Sequence, residues 1–454
     1  MSTPVSARHR IGPARPDLIA AAGGLGLFAA AAAVGGALYL LGRPVHASAA
    51  PLAADWLPHA GPGTPLALMV AALVWWRGPA LAARLSWRRL LALSYATAVA
   101  WTFSLALIDG WQRGIAGRLT TRFEYLHEVP GVTDIPATLR GFTARILDFQ
   151  PDSWTTHVAG HPPGTLLLFV WLDRAGLRGG GWAGVLCILV AALVAAAVPQ
   201  TVRLLGTDEA ARAVVPFAVL FPGAVWSGVS ADGLFAGVTA AGVALLAYAV
   251  ARGFPAAAVA GGAVLAVGCY LSYGLVLMAA VAAAVLVLGP HRRAGWWALA
   301  GAGLVVAGFT AAGFDWLTGY HLVTERYYQG VASHRPYGYW VWDDLATLTV
   351  SAGPAAAVVL RRAGRAVVTL RPGAGIVPPR AELAVWLLPL AAAAAILAAD
   401  LSGYSKAEVE RIWLPFAVWL LAGAALIPPA DRRTWLAAQA VVALAVNHLL
   451  LTIW

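Results

Sequence analysis

His157-Val-Ala-Gly-His161-Pro-Pro-Gly164 closes a long polar segment, and an apolar run over residues 165–172 follows at once. Reading outward, the polar segment reaches back to Asp109 and forward to about Gly180. It carries carboxylates, histidines, arginines and tryptophans. Beyond both ends the chain turns strongly apolar, with windows long enough to cross a bilayer as helices. The two-residue alternation of a barrel is missing. The expected fold is therefore an all-α polytopic membrane protein with a reactive loop between spans.

Composition supports that class: 60% of the 454 residues are hydrophobic and only 11% are charged. The formal charge of +10 does not point to nucleic acid, because the arginines fall mainly in short loops between apolar runs. That distribution fits orientation by inside-facing cations. The only cysteines, Cys187 and Cys269, both lie in apolar runs, so no disulfide or metal spacing is available. The basic stretch 1–18 reads as a cytoplasmic tail, and the first apolar run is too long for a cleaved leader.

About thirteen spans are expected, near 19–42, 62–76, 90–108, 181–202, 210–227, 232–251, 254–271, 273–289, 294–313, 344–360, 382–399, 413–428 and 434–453. The pair meeting at Leu271-Ser272-Tyr273 could instead form one kinked helix, which would reverse everything after it. With the N-terminus inside and no merger, 19 of the 31 basic residues face the cytoplasm, whereas 16 of the 21 acids and seven of the ten histidines lie outside. The chain then reads as a single membrane domain over 1–454 with outer loops at 109–180, 314–343 and 400–412. The opposite partition of cations and acids places the chemistry on the outer face.

Within the first loop, Asp109 and Glu124 are the candidate bases. A carboxylate at the membrane–water boundary is partly desolvated and can take a proton from a hydroxyl. The bland alternative is a helix-end residue and a solvated loop residue. Glu128 lies in the same stretch, Arg122-Phe-Glu-Tyr-Leu-His-Glu128, and counts as substrate-binding. His157 and His161 suit phosphate binding, carboxylate orientation or a structural tie. Their spacing precedes a proline break and is not a helical metal-ligand pair, so no metal site is assigned, although a divalent metal stays open. Residues 164–176 are too short to span and suit a helix lying along the outer leaflet. Asp232, in a short turn between apolar runs, is either a functional carboxylate or a cap shared with Ser230.

Tyr328 and Arg335 belong to a loop whose aromatics and cations could stack on sugars or simply form an interfacial belt. In the last loop, Ser405 and Glu408 have the spacing of a capping box, and Lys406 and Glu410 stand four apart. Arg411 follows at the membrane edge, where a cation suits a lipid-linked phosphate or a local ion-pair network.

In order and type, these parts resemble the GT-C superfamily of membrane glycosyltransferases, which includes protein O-mannosyltransferases and aminoarabinose transferases. The resemblance covers about residues 90–290. It rests on a long first loop with an acid near a span end, His161-Pro162-Pro163 leading into a juxtamembrane helix, and Asp232 in a later short turn. It departs from the pattern in having Gly110 after Asp109 in place of a second acid, and two preceding spans. The stretch Ser405-Lys-Ala-Glu-Val-Glu-Arg-Ile-Trp-Leu-Pro415 is similar to uncharacterised actinobacterial membrane proteins. The resemblance implies inverting transfer of a sugar from a polyprenyl-phosphate donor to an envelope glycan, lipid or protein at the outer face of the plasma membrane. Asp109 or Glu124 would be the base, and His161, Lys406 and Arg411 would neutralise the phosphate. His157, Asp232, Glu128, Tyr328, Arg335, Glu408 and Glu410 would contact substrate. The competing readings are a transporter or flippase, which needs ionisable groups at mid-bilayer, a ligase or polymerase of lipid-linked glycans, and a non-catalytic scaffold.

Overall fold

The computed structural model describes residues 12–369 and 380–453. Most of the tail 1–18, and Arg371 with its neighbours in the Arg-rich inner loop, lie outside the described residues. Among the described residues, seven helices are long and apolar enough to cross a membrane: Arg15–Leu40, Thr64–Arg84, Trp87–Asp109, Gly180–Leu205, Ala231–Arg252, Ala294–Ala311 and Ala381–Ser402. The chain is a multi-pass helical membrane protein.

The other six expected spans fall on shorter or interrupted helices. Pro255–Leu271, Tyr273–Leu288 and Leu414–Leu426 are apolar but short. The run 210–227 divides into Asp208–Val219 and Ala224–Ser227 around Pro222-Gly223, where proline cannot donate to the helix ladder. The run 344–360 straddles a 109° bend between Tyr337–Ser351 and Pro354–Thr369. Gln439 satisfies the backbone there, accepting from the Ala355 N–H at 3.1 Å and donating to the Ala352 carbonyl at 3.0 Å. The last run ends as helix at Leu449. Its final residues, Leu450–Thr452, pair antiparallel with Ala54–Trp56 in a two-stranded ribbon.

Leu271-Ser272-Tyr273 is the tip of a hairpin, not a kink. Helix Pro255–Leu271 starts beside Val250 and ends where Thr165 donates to the Leu271 carbonyl at 2.9 Å. The following helix returns to His291, whose N–H reaches the Val250 carbonyl at 3.1 Å. The close approach of helices Pro255–Leu271 and Ala294–Ala311 depends on small residues, since a Cβ on Gly262 would strike the Ala298 backbone and one on Gly301 the Val259 backbone.

The helices give the molecule two chemically different ends. At one, buried Asp17 is clasped by Arg361 and Arg362, and Arg212 donates to the Ala82 and Leu85 carbonyls at 2.6 and 2.9 Å. At the other lie the long first loop, the 314–343 segment and the 403–412 strap. The first loop is a chain of short turns that leads into the one-turn helix Thr156–Ala159 and helix Pro163–Arg174. The latter buries Leu166, Leu167, Phe169 and Val170 and leaves Trp171 exposed, as a helix at an interface should. Gly164 is required at its start, because a Cβ there would strike the Tyr270 carbonyl.

Candidate active site

Four distant segments meet at a small recess on the loop face, lined by Arg118, Glu124, Tyr125, His157, Ser230, Asp232 and Arg411 with Val229 and Ala231. Each functional side chain has a local reason for its position. Ser230 caps helix Ala231–Arg252 by accepting from the Gly233 N–H at 3.1 Å. Asp232 is therefore not needed as a cap and faces Arg411 Nη1 at 2.7 Å. Thr156–Ala159 is anchored by the His157 N–H on the Phe123 carbonyl at 3.0 Å, which carries the imidazole to Glu124.

The contacts form one continuous chain. His157 Nδ1 lies 2.8 Å from Glu124 Oε1, and its Nε2 lies 3.4 Å from Arg411 Nη2. A ring placed between a carboxylate and a guanidinium donates from Nδ1 and accepts at Nε2. Arg411 continues to Glu408 Oε2 at 2.6 Å, and Glu408 Oε1 takes a bond from Arg335 Nη2 at 2.9 Å. Burial opposes ionisation of Glu408, but the guanidiniums of Arg411 and Arg335 overcome it and hold the carboxyl down at about 2. Burial likewise disfavours the charge on Arg411, and Asp232 and Glu408 outweigh it, so this guanidinium stays protonated. Glu124 Oε2 is buried and has no hydrogen-bond partner.

Asp109 stands apart from this chain. Its two oxygens are taken by His59 Nε2 at 2.8 Å and Arg118 Nη2 at 2.9 Å, with Arg113 at 3.6 Å. Arg118 also donates to the Thr452 carbonyl at 2.6 Å, so Asp109 and the terminal strand together fix a guanidinium in the recess wall. Asp109 is thus a holder of Arg118, and Glu124 is the recess carboxylate with an unpartnered oxygen.

Several other candidates take structural positions. Glu128 accepts from the Thr155 N–H at 3.0 Å and lies 3.6 Å from Arg145, tying the loop together outside the recess. Lys406 turns its ammonium onto the Ala332 and Arg335 carbonyls at 2.6 and 3.1 Å and under the Tyr327 and Tyr328 rings, so it does not reach the recess. Tyr328 is half exposed against Tyr404. Burial presses the His161 pKa down to about 4 against the pull of Asp232. At neutral pH it is an uncharged ring donating to the His157 carbonyl at 2.8 Å, which does not suit neutralisation of a phosphate.

The capping box at Ser405 does not form. Glu408 sits at φ +63° and gives its carboxylate to the two arginines, while Ser405 donates to the Ala399 carbonyl at 3.3 Å. Glu410 does not pair with Lys406. It accepts from the Ala53 N–H at 3.2 Å, and burial lifts its pKa to about 7.

Sequence reasoning missed Arg118 and His59, and it missed three buried acids, Asp343, Asp344 and Asp400. The signal for the acids was present: Asp343-Asp344 opens an apolar run with no basic residue nearby in sequence. Asp344 accepts from the Ala407 N–H at 3.1 Å, so this group backs the 403–408 strap. Among the described residues, no group of three or more His, Cys, Asp and Glu side chains is placed to hold a metal ion.

Chemically, the recess offers a carboxylate with one oxygen fixed by a histidine and the other without a hydrogen-bond partner, in a wall that also carries two guanidiniums. That set can deprotonate a hydroxyl and stabilise an anionic leaving group. No family model matches this chain, and no curated protein matches it.

Proposed function

We propose that this protein is a GT-C-like membrane glycosyltransferase. In this reading it has thirteen crossings, with the recess on the extracytoplasmic face of the plasma membrane. The donor is a polyprenyl-phosphate sugar and the acceptor a hydroxyl of an envelope glycan, lipid or protein. Glu124, oriented by His157, takes the acceptor proton as the hydroxyl attacks the anomeric carbon, and the bond to the phosphate oxygen breaks with inversion. Arg411 and Arg118 counter the charge that develops on the phosphate. Asp232 holds Arg411, and Asp109 holds Arg118.

One observation carries the reading: residues 124, 157, 232 and 411 converge on a single recess at the loop face, and one buried oxygen of Glu124 has no hydrogen-bond partner there. The test is sugar transfer by the protein in nanodiscs, with radiolabelled polyprenyl-phosphate sugars and envelope glycans. Glu124→Gln should lower the rate by about 10²–10⁴-fold, the usual weight of a general base. Asp109→Asn should lower it less and mainly through donor affinity. Transfer undiminished in Glu124→Gln, or absent from every donor with folded protein, sinks the proposal.

A further inference from the structure

Between helix Ala381–Ser402 and the start of the next apolar helix, the backbone enters the left-handed region three times in six residues, at Gly403 (φ +70°), Ala407 (φ +66°) and Glu408 (φ +63°). Glycine adopts that region freely, but alanine and glutamate are strained in it. Two consecutive strained residues persist only where their surroundings hold them.

The holds are specific. The Lys406 N–H donates to Tyr327 Oη at 2.9 Å, and the Ala407 N–H to Asp344 Oδ1 at 3.1 Å. Arg335 Nη1 donates to the Lys406 carbonyl at 2.8 Å. The strap ends on one carboxylate laid across two guanidiniums, with Arg335 on Glu408 Oε1 and Arg411 on Glu408 Oε2. These arginines come from segments more than seventy residues apart, and their side chains are 10% and 8% exposed. Two buried guanidiniums, each turning one nitrogen to the same small oxyanion, form an arrangement that can recognise a phosphate group.

We infer that the Arg335–Arg411 pair is a phosphate site whose resident occupant is Glu408, and that a ligand phosphate enters by displacing that carboxylate. The inference rests on the lipid-phosphate reading of the recess, whose wall shares Arg411 with this site, and adds its gate. The Glu408 side chain keeps both guanidiniums paired while the site is empty. An incoming phosphate brings more charge and more acceptor oxygens than a carboxylate and takes the two nitrogens that Glu408 holds. Glu408 swings out, and the strap is free to leave its strained conformation. No covalent bond changes in this step; one anion replaces another.

The sign of one mutation tests it. Glu408→Gln keeps the shape of the side chain and removes the competing charge. With the protein in nanodiscs, its affinity for a short polyprenyl monophosphate should rise about tenfold, the scale of one charge-assisted contact. If Glu408 instead merely positions Arg411, the same variant binds equally or more weakly, and the inference falls. Hydrogen exchange on the wild type gives a second readout that needs no mutant. Saturating polyprenyl monophosphate should speed exchange of the Lys406 and Ala407 amides, and unchanged protection overturns the gate.

Inorganic phosphate and the polyprenol alcohol are the control arms. A Glu408→Gln response to inorganic phosphate alone supports the site and assigns it a free anion. The same response to the alcohol overturns it, since charge is then irrelevant. Tightened binding without transfer in any assay would defeat the transferase reading and leave the phosphate site standing. Transfer with no Glu408→Gln response would do the reverse.

Discussion

Removing Arg411 should unsettle the protein chiefly through Asp232. Both side chains are about 8% exposed, and they meet at 2.7 Å. Glu408 retains Arg335 at 2.9 Å when Arg411 is gone, so its loss is partial. Asp232 would be left as a buried carboxylate facing a thioether in Arg411→Met. Breaking a buried pair by deleting one partner costs about 3–5 kcal/mol, and most of that figure belongs to the stranded charge. Asp232→Asn in the same background removes the stranded charge and should recover about 2 kcal/mol. In the wild-type background, Asp232→Asn should destabilise, because it weakens a charge-assisted bond. The two effects of one substitution thus differ in sign, and the coupling is on the order of 2 kcal/mol or more. Detergent-titrated unfolding in mixed micelles, read for the four proteins of the cycle, gives all the terms. Arg411→Met within about 1 kcal/mol of wild type, or additive effects in the double variant, would refute the reasoning.

Two further outcomes follow from packing and protonation. Gly164→Ala drives a methyl into the Tyr270 carbonyl and should destabilise by about 1–3 kcal/mol, whereas Gly131→Ala, with open space around it, should change the unfolding midpoint little. His161 titrates near 6.5 when unfolded and about 4 when folded, so its contribution is complete above pH 6.5 and is lost as pH falls through 4. Glu410 moves the other way, from 4.5 to about 7, so its contribution is complete below pH 4.5 and is lost as pH rises through 7. Unfolding midpoints from pH 4 to 8 should show His161→Asn flattening the acid side and Glu410→Gln flattening the neutral side. An unchanged slope in either variant contradicts the assignment.

Helix positions were legible because apolar windows need no partner to be recognised. The breaks were not. Gly353-Pro354 looks like part of a continuous span because the residue that makes its bend tolerable, Gln439, lies more than eighty positions later. Leu450–Thr452 extends an apolar run and reads as helix, yet its backbone pairs with a strand near residue 55 that carries no strong pattern of its own. In the site, Glu124, His157, Asp232 and Arg411 were visible as chemically unusual residues in loops or turns. Their division of labour was not visible. Which carboxylate is clamped on both oxygens and which keeps one unpartnered depends on His59 and Arg118, single residues in unremarkable loops. Lys406 shows the same limit, since a lysine near the membrane reads as a phosphate ligand until its ammonium is found on two carbonyls.

The helix Arg432–Leu449 has a bearing on the order of assembly. Its Gln439 satisfies the bend at residues 352–355, and its Asn447 donates to the Leu105 carbonyl at 2.9 Å. His448 meets Thr64 at 3.0 Å, and the strand that follows holds Arg118. A chain synthesised from its N-terminus inserts the first three long helices and the bent pair before any of these partners exists. Until helix Arg432–Leu449 arrives, the bend carries unsatisfied backbone groups in an apolar layer and the Arg118 guanidinium lacks half its support. The early helices therefore wait in a loosened arrangement, and helix Arg432–Leu449 with the strand after it closes both the bundle and the recess.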